Sequence, residues 1–160
     1  TAADHTITGT AGDDLLDGKG GTDRIAGGGG YDTYFFRRGY GPLAIDNSTP
    51  GGTAASGELD FGSGITDQNL WFNRSGSDLV ASLMGTSNAV TIDGWFGSNP
   101  SAELSAIKTV DGLRLDTQVA QLVAAMATYS AGNTGFDVTQ VSQIPTDSNL
   151  QTAIAAAWHH

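Results

Sequence analysis

A mainly-β fold is expected, in which a short coil of nine-residue turns is continued by a small β unit and ends in one or two helices. Three observations predict it. Nonapeptides stand in tandem near the N-terminus, short alternating apolar runs fill the middle, and an i, i+3, i+4, i+7 pattern enters only late. The chain has 160 residues, enough for one modest core but not for two independent ones.

The coil comes first. GTAGDDLLD (9–17), GKGGTDRIA (18–26) and GGGGYDTYF (27–35) share Gly at their first and fourth positions. Asp14, Asp23 and Asp32 fill the sixth position, and Leu16, Ile25 and Tyr34 the eighth. A degenerate half-repeat precedes them, with His5 in the Asp slot and Ile7 in the apolar slot. Six residues of Gly-rich turn and three of strand are too short for a helix, but they suit a chain that reverses every nine residues. Glycine supplies positive φ and lets carbonyl oxygens converge. The eighth-position side chains then form an inward ladder. The sixth-position Asp lines up with the Asp two turns later, and stacked carboxylates repel unless a cation lies between them. Carboxylate and carbonyl oxygens at flexible spacing favour Ca²⁺ over Zn²⁺ or Mg²⁺. The string GKGGT (18–22) lacks the GxxxxGK[ST] spacing of a phosphate loop and lies within the repeat.

These nonapeptides resemble the RTX (haemolysin-type) repeat GGxGxDxUx, where U is large and apolar. The resemblance implies a parallel β-roll over 1–46 that binds Ca²⁺ between turn n and turn n+2, through carbonyls and the Asp of each. Carried over, one site uses Thr10, Gly12 and Asp14 with Gly27, Gly29 and Asp32. A second uses Lys19, Gly21 and Asp23 with the turn RGYGPLAID (38–46), from which Arg38 and Tyr40 would give carbonyls. That turn has Leu43 in the Asp slot, so Asp46 would have to compensate. A third pairs the half-repeat with Gly18, Gly20 and Asp23, but His5 replaces its Asp. Asp13 and Asp14 both belong to this calcium register.

Residues 47–56 (NSTPGGTAAS) read as a small-residue linker. Beyond it, ELDF (58–61), NLWFN (69–73), DLVASLM (78–84), AVTIDGWF (89–96) and LSAIKTV (104–110) read as strands of an antiparallel or mixed unit. They would bury Leu59, Phe61, Trp71, Leu79, Leu83, Val90, Ile92 and Ile107. A helix is expected over 116–129, capped by Asp116, with Val119, Leu122, Val123 and Met126 on one face. A second, short helix is expected after Asp147, carrying Leu150, Ile154 and Trp158, and His159 and His160 read most simply as a tag remnant. The stretch from FGSGITDQNLWFN through the helix (about 57–130) resembles the haemolysin-type calcium-binding-related domain. That domain follows the repeats in large secreted bacterial proteins. The tail 131–160 is similar to the uncleaved type I secretion signals of such proteins.

Charge and composition bound the function. Seven Lys and Arg face 17 Asp and Glu, a formal net charge of −10, which disfavours nucleic acid and anionic membrane as partners. Cysteine is absent, which removes disulfides and thiolate zinc and fits export. No stretch approaches a membrane span, and the N-terminal residues lack a signal-peptide pattern. GxSxG, HExxH and a Cys nucleophile are all missing, so no enzyme is expected. The resemblance implies calcium-driven folding after type I secretion from a Gram-negative bacterium, as one end of a larger protein. The alternative is an adhesin-type module in which Tyr40, Trp71, Trp95 and Phe96 form a platform for a surface glycan. A second copy of the chain is a further candidate partner.

Overall fold

The computed structural model describes residues 2–160. Each early turn contributes one short strand: β1 (Thr6–Thr8), β2 (Leu15–Asp17), β3 (Asp23–Ala26), β4 (Thr33–Phe36) and β5 (Leu43–Asp46). Successive strands fall alternately in two sheets, so each pairs in parallel with the strand two turns away. Ile7 opposes Ile25 in one sheet and Leu16 opposes Tyr34 in the other. The eighth-position side chains point between the sheets, where Ile25 and Tyr34 are fully buried and Leu16 nearly so.

The later strands extend these same sheets. β6 (Glu58–Phe61) adds in parallel to β4, with Leu59 opposite Tyr34, and β10 (Ala106–Lys108) adds to β6. In the other sheet β7 (Leu70–Ser75), β8 (Asp78–Leu83) and β9 (Ala89–Ile92) form an antiparallel meander, and β9 lies parallel to β5. The two orders are β1-β3-β5-β9-β8-β7 and β12-β11-β10-β6-β4-β2, where β11 is Arg114–Leu115 and β12 is Trp158–His159. All eight core residues expected of the β unit are buried. They form one apolar cluster with Ile25, Tyr34 and Ile45 of the turns. The segment 47–56 carries no strand, yet its first residue, Asn47, is buried and bonded to Ser56 and Ser101.

Two helices close the far end: α1 (Val119–Gly132) and α2 (Ser148–Ala157). α1 begins later than expected, after Gln118, and has no side-chain cap. Asp116 is engaged elsewhere, accepting from Thr117 N, Arg114 Nε and His159 Nε2. Asp147 does cap α2, its carboxylate accepting from Leu150 N at 2.9 Å. His159, read from sequence as part of a tag remnant, pairs with Arg114 as part of β12. Trp71 and Trp95 are 4% and 5% exposed, Trp71 packing on Phe136 and Tyr129. That burial removes the two indoles from any surface platform. No helix among the described residues is long and apolar enough to cross a membrane.

Candidate metal centre

The turns 9–14 and 27–32 stack residue over residue, and glycine permits the approach. A Cβ on Gly28 would lie 2.5 Å from the Thr10 carbonyl oxygen, and one on Gly30 would lie 2.7 Å from that of Gly12. Gly29 lies over Ala11, while a Cβ on Gly9 would strike the Gly27 carbonyl oxygen. Gly28 has φ +91°, which side-chain-bearing residues rarely adopt. All six residues of the first expected site, Thr10, Gly12, Asp14, Gly27, Gly29 and Asp32, therefore belong to one stacked pair of turns.

Its two aspartates are linked through the Asp14 backbone amide. Asp14 N donates to Asp32 Oδ1 at 3.0 Å, and Asp14 Oδ2 accepts from Thr10 N and from Thr10 Oγ1 at 2.9 Å. Asp32 is 1% exposed. Burial pushes its carboxyl above the usual carboxylate range; the Asp14 N–H offsets part of the rise, and the Asp14 and Asp13 carboxylates add to it. Among the described residues neither Asp14 nor Asp32 forms an ion pair. A buried carboxyl beside others, without a cationic side chain, is stabilised either by holding its proton or by positive charge from outside the chain.

The second expected set comes together only in part. Gly20 lies against Tyr40, a Cβ on Gly41 would strike the Gly21 carbonyl oxygen, and Asp23 N donates to Pro42 O at 2.9 Å. Leu43, opposite Asp23 in register, is buried in the Asp slot. Asp46 stands at the other end of β5, opposite Ala26, where its carboxylate accepts from Ser48 N and Oγ. It is not brought to Asp23. The Arg38 side chain donates from Nε to Gly64 O, and Lys19 N donates to Asp17 Oδ1. Lys19 holds φ +62°, the one positive value at a non-glycine position among the described residues.

The third set is closed by protein groups. His5 N and Nδ1 lie 2.8 Å and 3.0 Å from Asp23 Oδ1, and a Cβ on Gly18 would strike the same carboxylate. An imidazole thus fills the position that a second carboxylate takes in the Asp14–Asp32 pair.

Other contacts around the first set were not foreseen. Tyr31 Oη donates to Glu58 Oε2 at 2.9 Å, and Lys108 Nζ pairs with the same oxygen at 2.7 Å, tying the upper turn to β6 and β10. Glu58 N donates to Asp32 O. Sequence spacing carries no sign of these contacts, because they join residues far apart in the chain. Among the described residues no three His, Asp or Glu side chains form a metal-holding group. The expected donor set has two carboxylates and otherwise backbone oxygens, so such a group is not required. The donors are all hard oxygens on glycine-rich backbone, which fits Ca²⁺. No protein-family model matches the chain.

Proposed function

We propose that the chain is a calcium-binding module of the RTX (haemolysin-type) kind, whose nonapeptide turns form a parallel β-roll. It belongs to a larger protein exported through type I secretion machinery from a Gram-negative cell, and it folds outside on Ca²⁺. One observation carries the reading: the stacked turns 9–14 and 27–32 bring Asp14 and buried Asp32 together without a cationic partner. Thr10, Gly12, Asp14, Gly27, Gly29 and Asp32 would hold the ion. Bound Ca²⁺ supplies the charge that lets two stacked carboxylates stay ionised inside the fold. The chain's own residues set the turn spacing, exclude side chains from the stacking surface and hold the Asp32 carboxylate against the Asp14 amide. The second and third sets each have one carboxylate where the first has two, which favours a single strong site. No reaction is assigned to the chain, and the burial of Trp71 and Trp95 leaves the glycan platform without support.

Because the ion binds the folded state, its binding energy adds to folding. Extracellular calcium modules bind at about 10⁻⁴–10⁻³ M. Calorimetric Ca²⁺ titration, with melting in calcium and in chelator, tests the reading. The wild-type chain takes up at least one ion and melts higher with it, and Asp32→Ala loses an ion. No heat of binding and an unchanged melting temperature would overturn the proposal.

A further inference from the structure

Asp4 and Asp13 occupy the fifth position of their turns, next to the position that carries the ligands. Asp13 Oδ1 accepts from Tyr31 N at 2.7 Å, and Asp4 Oδ1 accepts from Thr22 N at 2.7 Å, each bond spanning 18 residues. In both cases the carboxylate of the lower turn takes the amide of the fifth-position residue stacked above it. The neighbouring sixth-position bonds run the opposite way: Asp32 Oδ1 accepts from Asp14 N, and Asp23 Oδ1 accepts from His5 N. Each stacked pair is thus clasped by two reciprocal charge-assisted bonds.

A third stacked pair supplies the contrast. Asp23 opposes Leu43, so the fifth-position residue of the upper turn is Pro42, which has no N–H to donate. The residue beneath it is Thr22, which has no carboxylate. Among these three stacked pairs, a carboxylate stands at the fifth position where the turn above offers an amide, and is missing where it offers none.

We propose that Asp4 and Asp13 are positioning residues that staple stacked turns through backbone amides and do not ligate the cation. Asp13 sets the spacing at which Asp14 and Asp32 face one another, so it acts on calcium through them. This inference rests on the calcium reading of that pair. An acceptor oxygen is what the role requires and a negative charge is not, so Asn at position 13 should serve and Ala should not.

The test uses the full chain with Asp13→Asn, Asp13→Ala and Asp32→Ala. Ca²⁺ is titrated by calorimetry, and amide hydrogen exchange is followed in saturating calcium. Asp13→Asn keeps the wild-type number of ions, an affinity within about threefold, and slow exchange at Tyr31 N–H. Asp13→Ala keeps the number of ions, binds about tenfold or more weakly, and exchanges Tyr31 N–H freely. Asp32→Ala loses an ion. Loss of an ion in Asp13→Asn would make Asp13 a ligand, and wild-type binding with protected Tyr31 in Asp13→Ala would remove the staple; either overturns the inference. Should the wild-type chain take no calcium, the calcium reading alone falls. The exchange rate of Tyr31 N–H in wild type against Asp13→Ala then still decides the staple.

Discussion

Tyr34 continues the ladder of inward side chains begun by Ile7, Leu16 and Ile25, but it carries a hydroxyl into the core. That hydroxyl donates to Asn47 Oδ1 at 2.7 Å, while Asn47 Nδ2 donates to the carbonyls of Ser56 and Ser101. Burial, with the carboxylates of Asp32, Asp46 and Asp14 nearby, pushes the phenol well above its ordinary pKa, so it remains a donor at any ordinary pH. Tyr34→Phe would keep the packing and leave Asn47 Oδ1 a buried acceptor with no donor, at a cost of about 1–3 kcal/mol. Urea denaturation should show a lower midpoint with an unchanged slope; an unmoved midpoint would mean the hydroxyl does nothing for stability. The apolar slot of Tyr34 is legible from the repeat. Its partner is not, because Asn47 opens a segment whose composition reads as linker. Asp13 divides the same way: its place in the nonapeptide register is plain in the sequence, whereas its bond to Tyr31 N needs the stacking distance.

Among the elements, strands repeated at fixed spacing are the ones that sequence identifies well. β2, β3 and β4 fall at the end of each nonapeptide, and the alternation over 58–61, 78–84 and 89–96 marks β6, β8 and β9. Element ends held by distant partners are harder to read. Asp116 looks like a helix cap, but its carboxylate binds His159 of β12 at 3.1 Å and Arg114 of β11 at 3.2 Å. The hydrogen bond from His159, followed by the Thr117 N–H, lowers the Asp116 pKa from 3.8 to about 2. The same bond raises that of His159 above 6.5. A depressed carboxylate contributes stability above its ordinary pKa and loses it as pH falls through the lowered one. A raised imidazole contributes below its ordinary pKa and loses it as pH climbs through the raised one. β12 is therefore held best between about pH 4 and 6.5. The melting-temperature difference between wild type and His159→Ala should be larger near about pH 5.5 than near about pH 8.5. An equal difference at both would remove the ion pair from the docking of β12.

The whole molecule has one core, and this governs how calcium, on the proposed reading, would act. Both sheets start in the repeat turns and end in the later strands, joined where β4 meets β6 and where β5 meets β9. The repeat makes the stacking of turns legible, but it does not say which later strand continues which sheet. Those pairings span long stretches of chain, and loop closure leaves no mark in local composition. A boundary at 47–56 suggests turns that could melt while the rest stands, yet the shared apolar cluster of Ile25, Tyr34, Ile45, Leu59 and Ile92 makes such partial melting costly. Calcium bound at Asp14 and Asp32 should consequently stabilise the region around Trp71 and Trp95 as much as the turns, by about 2.7 kcal/mol at a hundredfold excess over Kd. Adding chelator during a thermal melt should lower the far-ultraviolet strand signal and the near-ultraviolet tryptophan signal to one common midpoint. If the tryptophan transition stayed where it was while the strand signal shifted, the turns and the later strands would be separate folding units. Calcium would then act on the repeats alone.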